Sequence, residues 1–280
     1  MITFSGISDE AGKPIETQIR AHKALGWTAI EIRNVDGINL TDLCDREFER
    51  VAEAVEQAGL QVSCFASQLC NWSRPIAKDP GIDKDELARA IPRMQRLGTK
   101  YIRIMSYPNA GWPEDEWHKE VVARLSYLCK MAEDGGIILA HENCNGWGGE
   151  SPENSLQLLE DVGSPALQLL YDTGNPIAHG QDPWHFYETV KEKVTYVHIK
   201  DGRMADGEMQ YTYCGDGDGC VPQVLADLQK RGYHGYVSIE PHLAAIVHEA
   251  KEAASEEVAF NSYVKYGRRL MAETEKAAEA

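Results

Sequence analysis

Four apolar runs in this 280-residue chain each end in a side chain that binds metals: Ile137-Ile138-Leu139-Ala140-His141-Glu142, Leu169-Leu170-Tyr171-Asp172, Tyr196-Val197-His198 and Val237-Ser238-Ile239-Glu240. Three carboxylates and one imidazole make a mostly hard, oxygen-rich donor set. It favours Mn²⁺ or Mg²⁺ and is also compatible with Co²⁺, Fe²⁺ and Zn²⁺. An octahedral ion held by Glu142, Asp172, His198 and Glu240 keeps positions open for water or two substrate oxygens, which suits catalysis rather than structure.

Residues so far apart meet only if the chain returns each of them to one rim. Short β-like runs alternate with longer helical patterns, the signature of βαβ units around a parallel sheet. Strands are expected at 2–8, 28–33, 61–66, 101–106, 137–142, 167–172, 194–199 and 236–240. Helices alternate with them, such as 45–58, with Phe48, Val51, Ala52 and Val55 on one face, and 117–134, with Val121, Leu125, Leu128 and Ala132. Glycines at 59, 98, 135–136, 163 and 232 suit left-handed helix ends. Eight of each element make an α/β chain with the (β/α)₈ TIM-barrel fold, a single domain over 1–280. Pro92 predicts a kink or a late start in the third helix. The irregular stretch 67–83, carrying Trp72, Pro75 and Pro80, reads equally as a lid or as a surface insertion.

Side chains alternate across a strand, which supplies an internal check. Val197 and Ile199 share one parity and His198 and Lys200 the other; Val237 and Ile239 separate likewise from Ser238, Glu240 and His242. Leu169 and Tyr171 separate from Asp172, and Ile137 and Leu139 from Glu142. Each candidate ligand lies opposite the helix-packing residues, at the C-terminal strand end where barrel enzymes keep their active sites.

The 28 basic and 44 acidic residues leave a formal charge of −16, which disfavours nucleic acid as a partner. Seven scattered cysteines without a C-x-x-C pair fit reduced thiols and a cytoplasmic location. No secretion signal or membrane-length apolar run is visible.

Tyr171-Asp172-Thr173-Gly174-Asn175-Pro176, His198-Ile199-Lys200-Asp201 and the Gly215-Asp216-Gly217-Asp218-Gly219 loop, leading through Val221-Pro222 to Gly235-Tyr236-Val237-Ser238-Ile239-Glu240, are similar to the metal-binding strand ends of one family. On these motifs the chain resembles the xylose-isomerase-like sugar phosphate isomerase/epimerase superfamily over nearly its whole length. The resemblance implies one divalent ion on Glu142, Asp172, His198 and Glu240, a dimer or tetramer, and a small carbohydrate substrate. It further implies that Glu142 and Glu240 exchange protons on opposite faces of a metal-stabilised enediolate. The family's ketose epimerases commonly carry a substrate-binding His three residues beyond the metal Asp; this chain has Asn175.

Other rim residues are read as substrate contacts or as local structure. His141 and His242 are candidate bases or hydroxyl donors, and Lys200 and Arg203 candidate anion or hydroxyl ligands. Glu31 and Arg33 share an inward parity and either pair with each other or touch substrate. Trp112 and Trp147 are candidate sugar-stacking side chains. The expected function is metal-dependent isomerisation or epimerisation of a sugar, keto-sugar or related polyol. The alternative is a keto-sugar or inosose lyase or dehydratase using the same site. An abasic-site nuclease is disfavoured by Asn175 and the acidic charge, and a non-catalytic binding subunit by Glu142 and Glu240.

Overall fold

Period-two runs of Ile, Val, Leu and Tyr fold into eight parallel strands: β1 (Thr3–Gly6), β2 (Ala29–Ile32), β3 (Gln61–Phe65), β4 (Tyr101–Ser106), β5 (Ile138–Gly146), β6 (Leu167–Asp172), β7 (Val194–Ile199) and β8 (Tyr236–Ile239). The computed structural model describes residues 2–244 and 253–279. The strands pair in the order β1-β8-β7-β6-β5-β4-β3-β2, and a parallel bridge between Ile7 and Glu31 links the two edges into a nearly closed barrel.

A helix follows every strand: α1 (Ile15–Leu25), α2 (Asp45–Gln57), α3 (Gly81–Leu97), α4 (Glu114–Gly135), α5 (Pro152–Val162), α6 (Pro183–Val190), α7 (Val221–Lys230) and α8 (Glu256–Glu279). Hairpins Asn34–Val35/Ile38–Asn39 and Asp201–Ala205/Glu208–Thr212 follow β2 and β7, and a helical turn, Asn175–Ala178, follows β6. Among the described residues no helix is long and apolar enough to cross a membrane. All seven cysteines are free.

Strand alternation divides the core into two shells. Leu169, Tyr171, Val197, Ile199, Val237 and Ile239 pack outward against helix residues such as Val224 and Leu228. Cys64, Ala140, Leu170 and Tyr196 fill the barrel interior. On α2, Phe48, Val51, Ala52 and Val55 are buried, and each larger apolar side chain so buried contributes roughly 1.5–3 kcal/mol. Glycines at 98, 136 and 163 end α3, α4 and α5 with φ of 66°, 68° and 63°, a conformation that strains any residue with a Cβ.

Three local expectations are corrected. Strand β5 continues four residues past Glu142, to Gly146, through a register shift against β4. Helix α3 does not start late but runs from Gly81 through Pro92 to Leu97, which it can do because Pro92 and Ala88 are both exposed and the carbonyl deprived of its donor faces water. The irregular stretch ends before 83, since α3 begins at Gly81. It is tied down by hydrogen bonds from Met105 N–H to Leu69 O (3.1 Å), Tyr107 N–H to Cys70 O (2.9 Å) and Ile76 N–H to Pro108 O (2.9 Å).

Candidate metal centre and active site

Two residues beyond an inward-facing position on a strand lies another inward-facing position, one step closer to the rim. Glu142 stands in this relation to Ala140, Asp172 to Leu170 and His198 to Tyr196, all three of which fill the barrel interior. Asp172 and His198 are register partners on β6 and β7. Glu240 follows β8 and extends its pairing, donating its N–H to Ile199 O at 3.0 Å. The four side chains are buried, and one ligand atom from each lies within 4.8 Å of the others.

Neighbours fix the orientation of each group. Asp172 uses Oδ1 to accept the N–H groups of Gly174 and Asn175, both at 2.8 Å, which turns Oδ2 towards Lys200 Nζ at 3.0 Å. Lys200 also reaches Glu240 Oε2 at 2.9 Å. His198 presents Nε2 to Glu31 at 3.1 Å and Nδ1 to Glu142 Oε1 at 3.2 Å. Glu31 is held in turn by the hydroxyls of Tyr196 (2.8 Å) and Ser238 (2.6 Å). Beside Ser63, which forms a bulge in β3, Tyr196 OH lies 2.9 Å from the Ser63 hydroxyl, closing a polar chain inside the barrel.

These contacts set the charge states. Burial is the largest effect on Glu142 and opposes ionisation, yet Arg103 and His198 outweigh it and hold the carboxyl at about 2. Burial likewise opposes Glu240, but Lys200, His242 and Arg33 keep it well below the usual range. Asp172 is raised to about 6 by burial, reinforced by Glu142 and Glu240 against the pull of Lys200. Burial disfavours the His198 imidazolium, but Glu31 and Glu142 prevail and push it to about 10.

The donor set fits a divalent ion. Glu142 Oε2 is buried without a hydrogen-bond partner, its nearest cation being Arg103 Nε at 3.6 Å. His198 turns Nδ1 inward while Nε2 faces a carboxylate, the arrangement that fixes a ligating histidine's tautomer and ring. Glu10, Glu240 and His242 also converge. Arg33 lies 3.4 Å from Glu10 and 3.1 Å from Glu240 there, as Lys200 lies 3.0 Å from Asp172 and 2.9 Å from Glu240 in the four-residue set; what favours the latter is its three carboxylates and its buried, unpartnered Glu142 Oε2.

A cavity of about 510 Å³ opens over the centre. Of the residues singled out in the sequence, Arg33, Glu142, Asn175, Lys200, Glu240 and His242 line it. His242 adopts φ 52° and binds Glu10 through both its backbone N–H and Nδ1, each at 2.8 Å. Glu31 and Arg33 do not pair: Arg33 binds Asp9, Glu10 and Glu240, and Glu31 lies beneath His198.

The structure does not bring the others to the cavity. His141 is one residue off the inward parity and sits between barrel and helices, beside Leu158 and Gly148, where a Cβ on Gly148 would lie 3.0 Å from its ring. Burial lowers its pKa to about 4. Arg203 is exposed on its hairpin and bonded to the Asp216 carbonyl. Trp147 is buried, stacked on His118 at 3.9 Å, and Trp112 packs against the outer core.

The Gly-Asp-Gly-Asp-Gly loop has a structural job. Asp201 accepts N–H groups from Gly202, Gly215, Gly217 and Gly219 at 2.8–3.1 Å. A Cβ at Gly217 would stand 2.3 Å from that carboxylate, so only glycine permits the wrap. Sequence reasoning passed over Arg103 and Tyr211 and named Trp72 only as part of the 67–83 stretch; all three are on the cavity wall. For Arg103 a signal existed, its alternation with Ile102 and Ile104.

A family model described as a xylose isomerase-like TIM barrel matches residues 19–261. A 2-epi-5-epi-valiolone 7-phosphate 2-epimerase from Actinoplanes sp. is 30% identical over 175 residues, 62% of this chain and 62% of that one. An inosose dehydratase from Bacillus thuringiensis is 24% identical over 142 residues, 45% of this chain and 47% of that one. The matches thus span about half to three fifths of these relatives' length. The solved structure of an L-ribulose 3-epimerase shares the fold, with a TM-score of 0.75 at 18% identity over 100% of this chain and 98% of that one.

Proposed function

The chain belongs to the xylose isomerase-like TIM barrel family, and on that premise we propose that it is a divalent-metal-dependent epimerase or isomerase of a sugar, keto-sugar or related polyol. The observation that carries this reading is the convergence of Glu142, Asp172, His198 and Glu240 within 4.8 Å at the mouth of the barrel. These four would hold the ion, Mn²⁺ or Mg²⁺ by their donor chemistry. When bound, it supplies polarisation of the carbonyl and neighbouring hydroxyl oxygens, which acidifies the C–H between them.

The chain's own groups move the proton. Glu142 and Glu240 approach the cavity from walls three strands apart, β5 and the end of β8, so each serves one face of a ketone between them. One carboxylate, ionised, takes the proton beside the carbonyl, and the other, which must first take up a proton from solvent because both rest ionised, returns one on the opposite face. Arg103 beside Glu142 and Lys200 with Arg33 beside Glu240 keep both ready to act as bases at neutral pH. Lys200 also places positive charge where oxyanion character develops on the substrate.

Dehydration is the second reading, supported by the inosose dehydratase relative. There one carboxylate takes the same proton while the other protonates a departing β-hydroxyl, releasing water. Incubation with Mn²⁺ and a panel of ketoses and keto-inositols in deuterated water separates the two. Deuterium at an inverted carbon supports epimerisation, an unsaturated product supports dehydration, and inertness towards the whole panel contradicts both.

A further inference from the structure

Trp72 is 49% exposed and lines the same cavity as Glu142, Lys200 and Glu240. Six large apolar side chains are exposed among the described residues, and Trp72 alone of them faces this cavity. Its indole is not on a free loop. Asn71 Oδ1 accepts the Ser73 N–H at 3.0 Å, tightening the turn. Arg74, 8% exposed, is clamped to Asp83 at 2.6 Å and Glu86 at 2.5 Å on α3. An aromatic side chain therefore lines the cavity two residues from a buried ionic anchor.

Around Trp72 the wall carries the amides of Gln68, Asn71, Asn145 and Asn175, of which Asn71 spends its oxygen on Ser73 and keeps its nitrogen for the cavity. An amide both donates and accepts, as a hydroxyl does. Asn175, 7% exposed, keeps a buried Nδ2 without a hydrogen-bond partner, a donor left for a ligand.

Resting on the epimerase reading, we infer that Trp72 is a stacking platform that selects cyclic polyhydroxy ketones over open-chain ones. A ring offers the indole a continuous C–H face and has few internal torsions to lose on binding. An open chain interrupts that face with hydroxyls and freezes several torsions. The amides then read the hydroxyls around the ring edge.

The test is binding, measured by calorimetry and tryptophan fluorescence on metal-loaded protein with myo-inositol and methyl glucopyranoside against sorbitol. Ring polyols are expected to bind about tenfold more tightly than sorbitol and to perturb the fluorescence. Trp72→Ala should abolish both the preference and the perturbation, and Trp72→Phe should retain most of the preference. Equal affinity for rings and chains, an unchanged preference in Trp72→Ala, or no polyol binding overturns the platform. Intact ring selectivity without solvent-deuterium incorporation into any ketone would instead count against the epimerase reading, so the two failures are distinguishable.

Discussion

His198 Nε2 lies 3.1 Å from both carboxylate oxygens of Glu31, a residue 167 positions earlier in the chain. The contact leaves Nδ1 as the nitrogen facing Glu142 and Asp172. Glu31 thus acts on any bound ion through the imidazole. Glu31→Gln should weaken Mn²⁺ binding by about 10–100-fold while the fold persists. Calorimetric titration checks this, and an unaltered affinity would remove Glu31 from the account.

Metal uptake should release protons. With His198 pushed to about 10 in the metal-free protein, its ring keeps a proton across neutral pH that an ion on Nδ1 must displace. Apparent affinity should therefore rise about tenfold per pH unit between pH 7 and 9, with release of about one proton. Below about 6, protonation of Asp172 weakens binding further. Titration in buffers of different ionisation heat counts the protons; a pH-independent affinity contradicts the assignment.

His22 makes folding stability sensitive to acid. It is buried, with Nδ1 3.0 Å from Gln18 O and Nε2 3.3 Å from Tyr263 OH, and burial lowers its pKa from 6.5 to about 4. The folded state binds this proton less well than the unfolded state. The stabilisation is complete above 6.5 and is lost as pH falls towards 4, a difference on the order of 2–3 kcal/mol between pH 7.5 and 4.5. Urea unfolding should show a flatter pH dependence in His22→Gln by about that amount, and parallel curves for the two proteins refute the linkage.

Removing the Arg74 guanidinium strands two buried acids, Asp83 and Glu86. Arg74→Met should cost about 3–5 kcal/mol in urea unfolding. Adding Asp83→Asn and Glu86→Gln should restore part of the loss, because the uncompensated charges are then gone. A single-variant cost below about 1 kcal/mol would mean that the anchor is not built on this ion pair.

The barrel and the convergence of Glu142, Asp172, His198 and Glu240 on one rim were legible because both are written in period-two alternation, a local property. Glu142, Asp172 and His198 each follow an inward-facing core residue by two positions, and reading that parity needs no tertiary information. The same rule, applied strictly, would have removed His141, which adjoins Glu142 but faces the helices. What stayed hidden depends on contacts between distant segments. Examples are Glu31 under His198, Glu10 against His242 and Arg103 beside Glu142. Aromatic side chains on loops carry no periodicity, so Trp112 and Trp147 could not be told from Trp72. Only the last lines the cavity.

The most direct measurement of the central claim is equilibrium dialysis of chelator-treated protein against Mn²⁺, paired with ketone turnover, for the wild type and for Glu142→Gln, Asp172→Asn, His198→Ala and Glu240→Gln. The account predicts one ion per chain in the wild type, affinity lowered at least about tenfold in Asp172→Asn and His198→Ala, and no turnover in either glutamate variant. A wild type that binds no divalent ion, or glutamate variants that turn over ketone at the wild-type rate, would contradict it.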